Sequence, residues 1–79
     1  MNIKVLFFGI LADKAGNSSV IVDNANTLNE LINRIENEFP LIKQNRTKYI
    51  VARNQEIVRK NIKLSEGDEI ALLPPFSGG

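Results

Sequence analysis

The sequence contains no cysteine, no histidine and no tryptophan, and only one tyrosine. Without thiol or imidazole it cannot build a Cys/His or Ser/His nucleophile pair, nor a thiolate or imidazole metal site. We therefore expect no bound metal and no bound cofactor. It also has no disulfide to stiffen it, a composition that fits a cytoplasmic protein. Ten basic and nine acidic side chains give a net charge of +1. The cations are scattered, with short groupings only at Arg59-Lys60 and Lys63, and no basic run is interleaved with aromatics. Nucleic-acid binding is not expected. No apolar run is long enough to span a bilayer, and the few apolar residues after Lys4 do not form a secretory signal.

Seventy-nine residues make one domain, 1–79. A domain of this size buries only roughly 60% of the surface its unfolded chain exposes, so a deep enclosed substrate pocket is not expected. A module this small is better suited to presenting a surface or a tail to a larger protein.

Hydrophobic patterning divides the chain into short elements. Asn2 to Phe8 alternates, with Ile3, Val5 and Phe7 on one face and Lys4, Leu6 and Phe8 on the other. Gly9 and Gly16 bracket a connection that can hold one helical turn, and Ser19 to Val22 returns as a second strand. Thr27-Leu28-Asn29-Glu30 is a capping box. Leu28, Leu31, Ile32, Ile35 and Phe39 follow at helical spacing, and Pro40 ends that helix. Leu41 to Lys48 reads as a polar connection. Tyr49 to Arg53 and Glu56 to Arg59 are strands about an Asn54-Gln55 turn. Ser65 to Asp68 is a turn with Gly67 in a left-handed conformation. Glu69 to Leu73 is the last strand, closed by Pro74. The order β-β-α-β-β-β predicts an α+β fold, a β-grasp (ubiquitin-like) roll. In it, a mixed sheet of about five strands packs on one main helix. A ferredoxin-like sandwich competes, but it needs a second helix.

Parity puts Ile3, Val5, Phe7, Val58, Ile70 and Leu72 toward the helix. The opposite face then carries Leu6, Phe8, Ile57, Ala71 and Leu73, interrupted by Lys4 and Arg59. An apolar patch of this kind on a small protein marks a partner site. Beside it, residues 74–79 read as a flexible tail. Pro74-Pro75 stiffens its exit, and Gly78-Gly79 can enter a channel too narrow for side chains. Six residues can reach roughly 20 Å. Two closing glycines arise by chance in roughly half a per cent of cases when glycine usage is about 7%. With Cys and His absent, the Gly79 carboxylate is the one plausible reactive group.

The run from Gly67 to Gly79, with Gly-Asp-Glu followed by Pro-Pro-x-x-Gly-Gly, resembles the end of the MoaD family, the small subunit of molybdopterin synthase. Ile3-Lys4-Val5-Leu6-Phe7-Phe8-Gly9 is similar to that family's first strand, and Ala52 to Val58 to its central hairpin. The resemblance implies a sulfur carrier. An enzyme related to ubiquitin-activating enzymes would use ATP to adenylate Gly79. The acyl-adenylate would become a thiocarboxylate. Inside the synthase large subunit, that thiocarboxylate would pass sulfur to cyclic pyranopterin monophosphate. Gly79 and Gly78 would then be the reacting end. Catalytic acids and bases would come from the large subunit. Phe8, Ile57 and Leu73 would match the family's apolar contact positions, with Pro74, Pro75, Phe76 and Ser77 inserting behind the reacting end. Ala12-Asp13 departs from the Arg-Glu that many relatives carry after the first strand. A thiamine-pathway carrier, a ubiquitin-like protein modifier and an interaction module with an inert tail are the alternatives.

Overall fold

The computed structural model describes residues 2–44 and 49–75. Five strands form one sheet: β1 (Asn2–Phe7), β2 (Ser19–Asp23), β3 (Ile50–Arg53), β4 (Glu56–Val58) and β5 (Glu69–Leu73). Their order is β2-β1-β5-β3-β4. β1 and β5 run parallel at the centre, and the other pairings are antiparallel. The helix α2 (Leu28–Glu38) crosses one face, with short helices α1 (Ile10–Ala15) and α3 (Pro40–Gln44) beside it. This mixed sheet packed on one main helix is the β-grasp arrangement that the element order predicts.

Local chemistry explains each boundary. Thr27 caps α2: its hydroxyl accepts from the Glu30 amide at 3.2 Å and donates to the Glu30 carboxylate at 3.3 Å. A cap of this type stabilises a helix by about 1 kcal/mol. Leu28, Leu31 and Ile35 are buried from α2. They meet Ile3, Val5 and Phe7 from β1 and Ile70 and Leu72 from β5 in one core. Each aliphatic side chain fully withdrawn from water contributes about 1.5–3 kcal/mol. The turn at Asn54 and Gln55 has positive φ at both residues, 49° and 73°. That is the geometry whose twist matches a two-residue hairpin.

Pro40 ends α2, as the sequence predicts, but the segment after it is not the polar connection the pattern indicates. Pro40 opens α3, where its fixed φ and missing N–H suit a first helical position. Ile42 in α3 is buried, and the Phe39 ring meets Phe7 edge-on with centroids 5.6 Å apart. Five residues are too few to display a helical period, so the pattern could not reveal α3.

Candidate functional site

The sheet face turned away from α2 is graded along the strands. In one row, Leu6 of β1 lies beside Ala71 of β5, Ala71 beside Ala52 of β3, and Ala52 beside Ile57 of β4. The next row toward the end of β5 pairs Leu73 with Ile50. Phe8 follows β1 there, its amide donating to the Leu72 carbonyl at 3.1 Å. Toward the start of β5, Lys4 stands beside Glu69, a cross-strand pair of opposite charge. The face thus passes from charged to apolar as it approaches Pro74 and Pro75. Phe8 is 45% exposed and Ile57 52% exposed, whereas Leu73, Pro74 and Pro75 are half-buried.

The structure therefore brings Phe8 and Leu73 together at the end of β5 and puts Ile57 one row back, across β3. Phe76, Ser77, Gly78 and Gly79 lie outside the described residues. Parity along single strands missed Ile50 and Ala52, which fill the gap between Leu73 and Ile57. The signal for them was the two-residue turn at Asn54-Gln55, since that turn fixes the register that sets Ala52 opposite Ile57. Val58, assigned to the helix side, is half-buried and packs against the core.

The other end of β5 is polar. Asp68 is 6% exposed. Its carboxylate accepts from the Ser65 amide at 2.8 Å, from the Arg53 Nε at 3.1 Å and from the Asn54 side-chain amide at 3.1 Å. Burial alone would raise its pKa. The Ser65 and Asn54 hydrogen bonds and the Arg53 guanidinium outweigh that cost and hold it below the ordinary value near 3.8. Asn54 completes the tie: its Oδ1 accepts from the Glu69 amide at 3.0 Å, and its own amide donates to the Glu69 carbonyl at 2.8 Å. The same Asn that makes the β3–β4 turn therefore fastens the start of β5.

Among the described residues, no cluster of three or more Asp or Glu side chains could hold a metal ion. An open groove of about 850 Å³ lies between α2 and the β3–β4 edge, lined by Leu28, Ile32, Tyr49, Val51, Val58 and Arg59 among others. It contains no paired acid and base. Tyr49 is occupied structurally, donating to Glu36 at 2.9 Å, and burial together with the Glu36 carboxylate raises its pKa. Among the described residues, no helix is long and apolar enough to cross a membrane.

Comparison with known proteins converges on the same arrangement. The sequence profile of the ThiS family matches residues 5–79. The molybdopterin synthase sulfur carrier subunit of Drosophila sechellia is 37% identical, with 100% of this chain and 92% of the relative covered. Small archaeal modifier protein SAMP1 from Haloferax volcanii superposes with a TM-score of 0.86 at 28% identity, each chain fully covered. Subunit 1 in the complex of molybdopterin-converting factor subunits 1 and 2 from Helicobacter pylori superposes at 0.75 with 32% identity, again with full coverage of both.

Proposed function

This chain belongs to the ThiS family, and from that premise we propose that it is the sulfur carrier subunit of a molybdopterin synthase, with Gly79 as the group that carries sulfur. The observation that supports this reading most is the gradient of the open sheet face. Its apolar end coincides with the root of the tail, so a protein that docks on Phe8, Leu73 and Ile57 has the tail beginning at its own surface. The relatives with this name and the Helicobacter pylori subunit complex supply the partner class, a synthase large subunit.

The chemistry follows from what a carboxylate lacks. Its oxygen is a poor leaving group, so the Gly79 carboxylate attacks the α-phosphorus of ATP on an adenylating enzyme and releases pyrophosphate. A sulfide-level nucleophile then displaces AMP and leaves a thiocarboxylate. In the large subunit the thiocarboxylate sulfur forms a C–S bond at a carbon of cyclic pyranopterin monophosphate as that carbon's C–O bond breaks, the oxygen departing as water or as a freed phosphate oxygen. Water cleaves the resulting acyl–sulfur bond, which returns the Gly79 carboxylate and leaves the sulfur on the pterin. No step requires an acid or base from this chain, in keeping with a sequence that has no histidine or cysteine. Pro74, Pro75, Phe76 and Ser77 thread the tail, and Gly78 keeps it narrow.

Intact-mass analysis after incubation with the adenylating enzyme, ATP and a sulfur donor tests the reading. A single oxygen-for-sulfur exchange at Gly79 is expected. The likeness to SAMP1 favours a second reading, a modifier joined through Gly79 to lysines of other proteins. Isopeptide adducts without the exchange would replace the first reading by the second. Neither product would leave an interaction module with an inert tail.

A further inference from the structure

We propose that Gly9 is a positioning residue for the carrier reaction, because it seats the Pro74 ring and so sets the direction in which the tail leaves the sheet. The inference rests on the sulfur-carrier reading and adds to it a residue outside both the tail and the apolar docking face.

Gly9 has φ 57° and ψ −134°. That is the mirror image of an extended conformation, open to glycine and costly for any residue with a Cβ. Space is restricted as well as angle. A Cβ built on Gly9 would lie 3.1 Å from Pro74 Cγ and 3.7 Å from Pro74 Cδ. The first distance is shorter than the carbon–carbon contact optimum of about 3.5–4.0 Å, so the ring would have to give way by a few tenths of an ångström. The other glycines with positive φ differ: a Cβ on Gly16 or Gly67 would meet nothing within 4 Å. Among the described glycines, only at Gly9 does the missing side chain make room for a particular neighbour, and that neighbour is the first residue of the tail.

The seat is firm on both sides. The Phe8 amide donates to the Leu72 carbonyl at 3.1 Å, which holds the end of β1 against β5 up to the residue before Gly9. Pro74 has its own φ locked, and Pro75 behind it restricts the Pro74 ψ. A displacement of the Pro74 ring therefore passes to Pro75 instead of being absorbed by a free torsion. The reacting carboxylate lies up to roughly 20 Å farther along the chain. Once an enzyme holds that reach extended, a changed exit angle at the root has to be taken up along the tail, and misplacement by about 1 Å can cost an enzyme-bound reaction up to about a hundredfold.

Gly9→Ala, Pro74→Ala and the double variant test this, assayed for thiocarboxylate formation with the adenylating enzyme, ATP and a sulfur donor. Gly9→Ala pushes the ring aside and is expected to lower kcat about tenfold with KM for the carrier within twofold, since the docking face is untouched. Pro74→Ala removes the seated ring and should lower kcat about threefold. The double variant has nothing left to collide and should match Pro74→Ala, not the roughly thirtyfold loss expected of independent effects. Backbone strain remains at position 9 in both variants that contain Gly9→Ala, so each should lose Tm, and Gly9→Ala alone should lose more relative to wild type than the double variant loses relative to Pro74→Ala, because only the single variant also carries the ring contact. Additive losses, or a Gly9→Ala protein with wild-type kcat, would overturn the proposal. If Gly9→Ala does not fold, Pro74→Ala alone decides: unchanged kcat refutes it. An NMR cross-peak between Gly9 Hα and Pro74 Hγ in the free protein tests the seat without any enzyme. Its absence refutes the inference even if the carrier is thiocarboxylated. A wild-type protein that shows the cross-peak but is never adenylated refutes the carrier reading instead.

Discussion

The two ends of β5 are held by opposite chemistry. At its start, the buried Asp68 carboxylate gathers three donors, one from its own turn and two from the β3–β4 hairpin, and Asn54 clamps the Glu69 backbone from both sides. At its finish, Leu73, Phe8 and Ile50 offer an apolar edge, and Pro74 rests over a glycine. A polar network of this kind is specific in geometry and costly to open, because the buried Asp68 carboxylate would lose three hydrogen bonds at once. An apolar edge has no directional demand and can exchange one covering surface for another. The strand is fastened at its start and left with an open apolar edge at its finish, where the proposed function puts the docking of partners.

Substitutions that act on one end alone sharpen this contrast. The largest effect is expected from deleting Gly79: sulfur transfer to the pterin is abolished while Tm and binding to the large subunit are unchanged. Continued transfer would show that the tail's last residue is dispensable. Next is Phe8→Asp, which sets a charge in the apolar edge beside Leu73. Affinity for the large subunit should fall by about a hundredfold or more, roughly 2.7 kcal/mol in titration calorimetry, with Tm within about 2 °C of wild type. A matching fall in Tm would mean that Phe8 serves the fold.

Asp68→Ala reverses that pattern. It strands the Ser65 amide and frees Arg53 and Asn54, at a cost of about 2 kcal/mol, or a Tm lower by roughly 8–16 °C. Partner affinity of the folded fraction should be unchanged. The pH dependence gives a subtler reading of the same end. The folded-state pKa of Asp68 is depressed, so its stabilisation is present above the ordinary carboxylate value and is lost as pH falls below about 4 toward the folded value. Urea midpoints measured from about pH 6 to 2 should decline in the wild type and decline less in Asp68→Asn. Equal slopes would remove Asp68 from the account. The smallest effect belongs to Tyr49→Phe, which removes the hydrogen bond to Glu36 and should cost about 0.5–1 kcal/mol in a urea titration.

Most of this arrangement could be read from the chain because its signals are local. Alternation in Asn2–Phe7, the Thr27–Glu30 box and the stripe of Leu28, Leu31 and Ile35 each specify an element within a few residues. The open apolar face required one more step, the parity of Phe8, Ile57 and Leu73. What remained hidden depends on contacts distant in sequence. Asp68 looks like any turn aspartate until Arg53 and Asn54 arrive from another hairpin. Ile50 and Ala52 joined the open face only once the β3–β5 register was fixed. Gly9 reads as a loop glycine, and its specific task is visible only when Pro74, far along the chain, is placed over it. The α3 helix was missed because five residues carry too little periodicity, even though Ile42 within it is buried.

The parallel pairing of β1 with β5 has a consequence for how the molecule is made. The first and last strands occupy the centre of the sheet, and such long-range pairings form late and slowly. While a ribosome is still upstream of Leu73, the nascent chain can form its first hairpin and α2, but β1 has an open edge where β5 belongs and the core lacks Ile70 and Leu72. A prematurely terminated product therefore has no route to the native sheet and leaves its apolar faces open to proteolysis. Quality control is built into the strand order: every folded copy has been synthesised at least as far as the root of its tail.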